Sequence, residues 1–362
     1  MIQHFGLVRQ YANLKDELLD ASDRAMREGC LIDGPYVQQF EAWLRRTTGA
    51  RHAITVHSGT QALEIIARHQ FNLLDTFIKS SKNSPLMPAP KVRLPNLTYP
   101  ATLNAFINAG WEVELVDTDK NGLMVRDRYV DDHAYECIVG LFGARPEYSL
   151  DALVDGAQHW LVANGQIGSG MAISFDPTKN LASSGNGGAI VTNHDDLHNF
   201  VVNYKNNGKL SRHITSGTNS KMSEQDCAQI LVRTRYIDSW QKRRADIASY
   251  WCEVLNDLQY STPGARCLSA GIQHHAHQKF VIYTEERDAL LAHLLRCDIE
   301  AKIHYPYTLS ELPLSKDCTK PDMLSTSVML SRGVLSLPMY PELTDAEVEY
   351  IANTILTFYK AK

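Results

Sequence analysis

One lysine stands in the stretch S-F-D-P-T-K-N-L-A-S-S-G-N-G-G, residues 174–188, between a short apolar run (171–175) and a loop of serines and glycines. A lysine at the carboxyl end of a strand can reach a group bound at the sheet edge, and the glycines let backbone approach that group closely. Taken alone, Thr178-Lys179-Asn180 is an ordinary turn; the residues upstream give it meaning. Ser58-Gly59-Thr60 offers hydroxyl and backbone donors, Tyr99 an aromatic face, Asp155 a carboxylate and Ser174 a further hydroxyl. Pyridoxal phosphate chemistry needs each of these once. It needs a lysine for the Schiff base and an acid that keeps the pyridine nitrogen protonated, so that the ring works as an electron sink. It also needs donors for a phosphate and a ring to stack on.

These residues need elements to hold them. Leu14, Leu18, Leu19 and Met26 recur at helical spacing over 10–29, with Gly29 placed to end the helix. A second helix is predicted over 37–46, with Phe40 and Trp43 on one face. Strand 53–56 leads through His57-Ser58-Gly59-Thr60 into a helix, whose free N-terminal N–H groups make a phosphate seat. Serines and prolines over 71–92 predict an exposed excursion. Further strands are expected at 92–95, 113–116, 137–141 and 153–154, and a helix opening at 98–102. Strands alternating with helices predict an α/β domain with a mostly parallel sheet. Ser58, Tyr99, Asp155, Gln158 and Lys179 all fall at strand ends. One spacing strains this: about eight residues separate the runs 137–143 and 152–155, fewer than a parallel crossover normally takes. From residue 220 on, helices at 224–231, 236–258, 287–295 and 344–358 and strands at 280–283, 302–305 and 335–337 predict a smaller α+β domain. The expected division is therefore 1–219 and 220–362.

Composition sets bounds. The chain of 362 residues is long enough for two domains, and 44% hydrophobic with 21% charged residues is ordinary globular usage. A net charge of −5 argues against non-specific nucleic-acid binding, which needs a basic face. Seven dispersed cysteines without a C-x-x-C pair fit a reducing cytoplasm, and none has zinc-ligand spacing, so no metal is expected. With no apolar leader over 1–15 and no membrane-length apolar run, the expectation is a cytoplasmic protein without a membrane partner.

Nine stretches in order extend the pattern: G-P-Y-V-Q-Q-F-E (34–41), H-S-G-T-Q-A-L (57–63), L-P-N-L-T-Y-P-A-T (94–102), V-D-G-A-Q (154–158), S-F-D-P-T-K-N-L (174–181), G-N-G-G-A-I-V-T-N (185–193), T-N-S-K-M-S-E (218–224), I-H-Y-P (303–306) and L-S-L-P-M-Y-P (335–341). In these the chain resembles the DegT/DnrJ/EryC1/StrS aminotransferases, pyridoxal phosphate enzymes that aminate nucleotide-linked keto sugars. The resemblance implies the aspartate-aminotransferase type of fold: a large domain with a mostly parallel mixed sheet and a smaller C-terminal α+β domain. It implies Lys179 as Schiff-base lysine and proton carrier, and Asp155 as partner of the pyridine nitrogen. Gln158 would lie at the ring oxygen and Tyr99 on the ring. Ser58, Gly59, Thr60 and Ser174 would hold the phosphate. Asn219 would reach the phosphate of a neighbouring subunit, so the active unit would be a homodimer. His304 and Tyr305 would lie near the substrate.

The implied reaction takes an amino group from L-glutamate and places it on a 3- or 4-keto sugar carried by a nucleotide. Relatives that dehydrate sugars carry histidine where this chain has Lys179, which favours transamination. Gly156 stands where alanine is usual, His57 replaces a small or apolar residue, and Lys221 replaces an arginine, losing its planar fork. The 71–92 excursion is longer than usual and 120–152 shorter. The alternatives are a keto-cyclitol acceptor, or a non-catalytic regulatory relative that keeps the fold. A nicotinamide-binding Rossmann protein would need a G-x-G-x-x-G after its first strand, which is missing.

Overall fold

The computed structural model describes residues 1–80, 90–126, 135–209, 211–261, 266–321 and 323–360. Two helices, α1 (Leu7–Arg27) and α2 (Pro35–Thr48), precede β1 (His52–Val56) and α3 (Gly59–Ser80). Then follow β2 (Lys91–Pro95), α4 (Pro100–Ala109), β3 (Glu112–Val116), β4 (Tyr135–Val139), β5 (Leu153–Asp155), β6 (Gly170–Ser174), β7 (Gly188–Thr192) and α5 (Asp195–Tyr204). The last third holds α6 (Glu224–Thr234), α7 (Ile237–Ser261), β8 (Arg266–Cys267), β9 (Phe280–Tyr283), α8 (Arg287–Arg296), α9 (Ser325–Gly333), β10 (Val334–Leu337) and α10 (Asp345–Lys360).

The first seven strands form one sheet in the order β1-β7-β6-β5-β4-β2-β3. β7 runs antiparallel to both its neighbours, and the other four pairings are parallel. The expected mostly parallel sheet is therefore present, with one reversed strand that no local pattern announced. β1, β2, β5 and β6 consequently point the same way, and their carboxyl ends share one edge.

The strained spacing also resolves. β4 and β5 do pair in parallel, Cys137 opposite Leu153, and their connection (140–152) holds only a 3₁₀ turn at Leu141–Gly143. No crossover helix is needed there, because the face of β5, β6 and β7 is covered from elsewhere in the chain. Phe40 and Leu44 of α2 and Cys227 and Ile230 of α6 pack on Val154, Met171, Ile173 and Val191. On the opposite face α3, α4 and α5 pack on Ile54, Leu94, Ala172 and Ile190, completing three layers.

Glu224 binds the two helices of the first-named face together. Fully buried at the start of α6, its carboxylate accepts the N–H groups of Gly34 and Tyr36 (both 2.7 Å) and Val37 (3.0 Å). These are donors that α2, opening on Pro35, cannot satisfy within itself.

Residues 71–80, expected in an exposed loop, instead continue α3, where Phe71 and Leu74 pack against the core. The remainder of that excursion (81–89), and residues 127–134 within the shortened region, lie outside the described residues. The second sheet has the order β10-β9-β8, all antiparallel. It packs with α7, α8 and α10 around Trp251, Phe280, Leu294, Leu335 and Ile351. The expected strand 302–305 is not one: only Lys302 pairs, through a single bridge to Ser336 on the edge strand β10. The chain's start joins this core, Ile2 bridging to Ile299.

Candidate active site

The shared carboxyl edge of β1, β2, β5 and β6 opens into a cavity of about 470 Å³. Asp155, the last residue of β5, sits in its wall. Its Oδ2 accepts a hydrogen bond from Thr102 Oγ1 (2.8 Å) and its Oδ1 one from Ala157 N–H (3.1 Å). Burial pushes the Asp155 carboxyl up; Thr102, Ala157 and the charge of Lys179 pull the other way.

Lys179 is set by the turn after β6. Asp176 Oδ1 accepts from Thr178 N–H (2.9 Å) and Oγ1 (2.6 Å), and Lys179 N–H donates to Asp176 C=O (2.9 Å). Phe175 N–H to Gly187 C=O and Ser183 N–H to Phe175 C=O tie the loop to β7. Burial lowers the Lys179 amine from its usual basicity, and Asp155 and Asp176 oppose that shift. No ion pair within 4 Å forms between Lys179 and Asp155 among the described residues. The two charges feel each other yet are held apart, which leaves room for a group between.

A close backbone contact builds the third part. Ser58 caps α3, its Oγ accepting from Gln61 N–H (3.2 Å), so the N–H groups at the very start of the helix face the cavity without intrahelical partners. A Cβ on Gly59 would lie 2.6 Å from Ser174 Cβ, and one on Gly188 would lie 2.4 Å from the Ser58 carbonyl carbon. Only glycine allows these strands to bring the α3 terminus and the Ser174 hydroxyl together, and the result is an anion seat of oriented donors.

The other predicted residues distribute around these three. Gln158 is fixed by accepting from Phe142 N–H (2.8 Å) and also hydrogen-bonds Tyr305, whose phenol burial pushes up. Tyr99 stands at the rim, 58% exposed, its ring 5.8 Å from that of Tyr305. His304 Nδ1 pairs with Ser336 Oγ (2.9 Å), and burial, then the nearby Lys279, keeps its imidazole neutral. Thus Ser58, Gly59, Thr60, Tyr99, Asp155, Gln158, Ser174, Lys179, His304 and Tyr305 line one cavity. Asn219 does not. It is exposed on the segment after α5, bridged to Asn206.

Among the cavity residues not singled out from the sequence, four bear on its chemistry. Thr102 lies within L-P-N-L-T-Y-P-A-T, one turn into α4, so its position was visible but its partner was not. Phe5, Lys279 and Lys302 arrive from the chain's start and from the second sheet. No local signal marks them.

The sequence profile of the DegT/DnrJ/EryC1/StrS aminotransferase family matches residues 12–133 and 156–356. A dTDP-3-amino-3,4,6-trideoxy-alpha-D-glucose transaminase of Streptomyces venezuelae is 28% identical over 366 aligned positions, which cover 94% of this chain and 92% of that one. A pleiotropic regulatory protein of Geobacillus stearothermophilus is 26% identical over 378 positions, covering 98% and 97%. The crystal structure of S. venezuelae DesV in complex with ketimine intermediate is similar with a TM-score of 0.85 at 26% identity, covering 99% of this chain and 98% of the other.

Proposed function

The chain belongs to the DegT/DnrJ/EryC1/StrS aminotransferase family, and from that premise we propose that it moves an amino group from L-glutamate to a 3- or 4-keto sugar carried on a nucleoside diphosphate. The observation that carries this is the half-buried Lys179 amine and the half-buried Asp155 carboxylate lining one cavity with the donors at the start of α3. The relative named as a dTDP-sugar transaminase supports the sugar acceptor. The relative named as a regulatory protein brings a second reading, and the intact Lys179–Asp155 pair favours catalysis over it.

The residues present fit pyridoxal phosphate. The close Gly59–Ser174 contact, which a Cβ would break, sets the Ser174 hydroxyl beside the α3 N-terminus, and Asp155 is a half-buried carboxylate without a cationic partner within 4 Å among the described residues. When bound, the cofactor supplies a carbonyl that takes up amines and a ring that withdraws electrons. The chain does the rest. The α3 N-terminus, Thr60 and Ser174 would hold the phosphate. Asp155, held by Thr102 and Ala157, would keep a proton on the ring nitrogen. Gln158 would orient the ring oxygen, and Tyr99 would shield one face from water. Lys179, its amine made less basic by burial, would be the group that anchors the cofactor and carries the proton.

The active unit in this reading is a homodimer, with Asn219 serving the neighbouring site. Asn219 is exposed and outside its own cavity, as that role requires. On α1 the exposed Val8, Tyr11, Leu19 and Met26 fall on one side of the helix, an apolar stripe suited to a second copy. Leu19 and Met26 share the helical spacing of Leu14 and Leu18, but not the face that packs inward. In the structure that face is Leu14, Leu18, Ala21 and Ala25.

The test is the visible spectrum of the purified protein, with its mass in solution read alongside. A cofactor band should bleach on adding L-glutamate and return with one member of a panel of nucleotide keto sugars, in a species of twice the chain's mass. No band after soaking in pyridoxal phosphate would sink the enzyme reading. A band returned only by keto-cyclitols would move the acceptor. A second expectation concerns the seat: Gly59→Ala should raise the Kd for pyridoxal phosphate about tenfold or more, the worth of one charge-assisted hydrogen bond. Titration of the apo protein checks it, and an unchanged Kd would place the phosphate elsewhere.

A further inference from the structure

One wall of the cavity is cationic in a way the amino-transfer chemistry does not use. Lys279, the residue before β9, is only 6% exposed, yet its amine has no hydrogen bond or ion pair among the described residues. Lys302 approaches from the segment before His304. Both flank the same ring: Lys279 Nζ lies 5.7 Å and Lys302 Nζ 5.0 Å from the centre of Phe5. Lys302 also reaches Glu300 Oε1 at 3.3 Å. Around Lys279 stand Lys179, Arg244 and Lys302, with Asp176 the one acid, and burial with these cations holds its amine down to about 7.

A buried amine among cations is a cost unless something negative completes it. Nothing in the Lys179–Asp155 chemistry does so, and the cofactor phosphate already has its seat at the start of α3. Charge balance narrows what fits. Lys302 is partly answered by Glu300, and burial among cations makes Lys279 a weaker cation than a free lysine. Two ammonium groups on either side of one ring, one of them already partly paired, suit a singly charged carboxylate.

We propose that Lys279 and Lys302, on either side of Phe5, form a subsite that receives a carboxylate of the substrate beside Lys179. This rests on the cavity being the amino-transfer chamber. The carboxylate can come from the amino donor or from the sugar ring, and each source has its own probe. Glutarate presents the donor's two carboxylates without an amine. UDP-glucuronate presents a ring carboxylate, with UDP-glucose as its uncharged counterpart.

Isothermal titration calorimetry of the cofactor-loaded protein gives the Kd of each probe. In Lys279→Met the Kd of glutarate, or of UDP-glucuronate but not UDP-glucose, should rise tenfold or more. In Lys302→Met the rise should be threefold or more. Lys302 is half-exposed, so its variant folds whatever Lys279→Met does. An effect on glutarate assigns the subsite to the donor, and one on UDP-glucuronate assigns it to the sugar. Probe affinities within twofold of wild type in both variants overturn the proposal. So does equal weakening of UDP-glucose, or failure of both charged probes to bind the wild-type protein. The cofactor band is read in the same samples. Its absence from wild type would fell the aminotransferase reading, while probe binding to the lysines would still be measurable.

Discussion

Lys179→Ala should lose amino transfer from L-glutamate by about 10⁴-fold or more, because in the proposed reading one side chain would serve both as the covalent anchor and as the proton carrier. Its position allows both roles. The Asp176 turn fixes the backbone, and the amine extends into a cavity where burial lowers its basicity while Asp155 and Asp176 limit the shift. The lowered basicity makes the free amine that attack and proton removal require easier to reach. The loss is distinguishable from misfolding. An amine whose basicity is lowered by burial binds fewer protons folded than unfolded. Lys179 therefore costs stability at pH values below its unfolded range, and that cost fades as the pH rises toward that range. Alanine removes the cost, so the apo variant should melt no lower than the wild type at pH 7. It should still bind pyridoxal phosphate through the seat and Asp155, but reversibly and with an altered band. Added methylamine should restore part of the rate. Single-turnover absorption with L-glutamate is the measurement. A variant retaining more than about a hundredth of the rate would move the proton carrier to another residue of the cavity, such as Lys279.

Much of this site was legible before the fold was seen, and the reason is geometric. In a sheet whose strands mostly run one way, a residue just past a strand reaches the common edge whichever strand it follows. Ser58, Tyr99, Asp155, Ser174 and Lys179 could each be placed from a short strand signal and then gathered by that single rule. What escaped depends on long-range contact. Phe5 comes from the chain's start, which is carried to the second core by Ile2 pairing with Ile299. Lys279 precedes a strand whose residues announce only burial. The K-I-H-Y run at 302–305 alternates like a strand, but past Lys302 it leaves the edge of β10 and turns His304 and Tyr305 into the cavity. The two-residue strand β8 that completes the small sheet is too short to show a period. At 71–80 the nearby serines and prolines hid the one useful sign, the spacing of Phe71 and Leu74 along a helix. The missing crossover helix between β4 and β5 was visible as a spacing conflict. Its explanation was not, because the cover comes from α2 and α6, more than fifty residues away in either direction.

Asp155→Asn should keep the fold and lose the chemistry. The carboxylate takes one hydrogen bond from Thr102 and one from Ala157 N–H. Asparagine can keep both: its oxygen accepts from Ala157, and its amide donates to the Thr102 hydroxyl, which can rotate to receive it. Structure is thus conserved while the negative charge goes. In the apo protein that charge is a burden. Burial raises the Asp155 carboxyl, so the folded state holds its proton to a higher pH than the unfolded state does. Folding stability therefore falls as pH rises from the ordinary carboxylate range through the raised value. Apo Asp155→Asn should melt at or above the wild-type temperature at pH 7 and should lack that decline. With pyridoxal phosphate the order reverses. In the proposed role the wild-type carboxylate would pair with a cationic ring nitrogen, so its burial cost would become cofactor affinity and the ring would stay able to withdraw electrons. Without that charge the nitrogen loses its proton, and amino transfer should drop by about 10²–10³-fold, the scale of removing one preorganised electrostatic partner. Melting curves with and without cofactor, across pH 4 to 8, together with single-turnover rates, test each step. A variant that loses activity and also melts lower without cofactor would show that Asp155 holds the edge of β5 together rather than a proton on the ring.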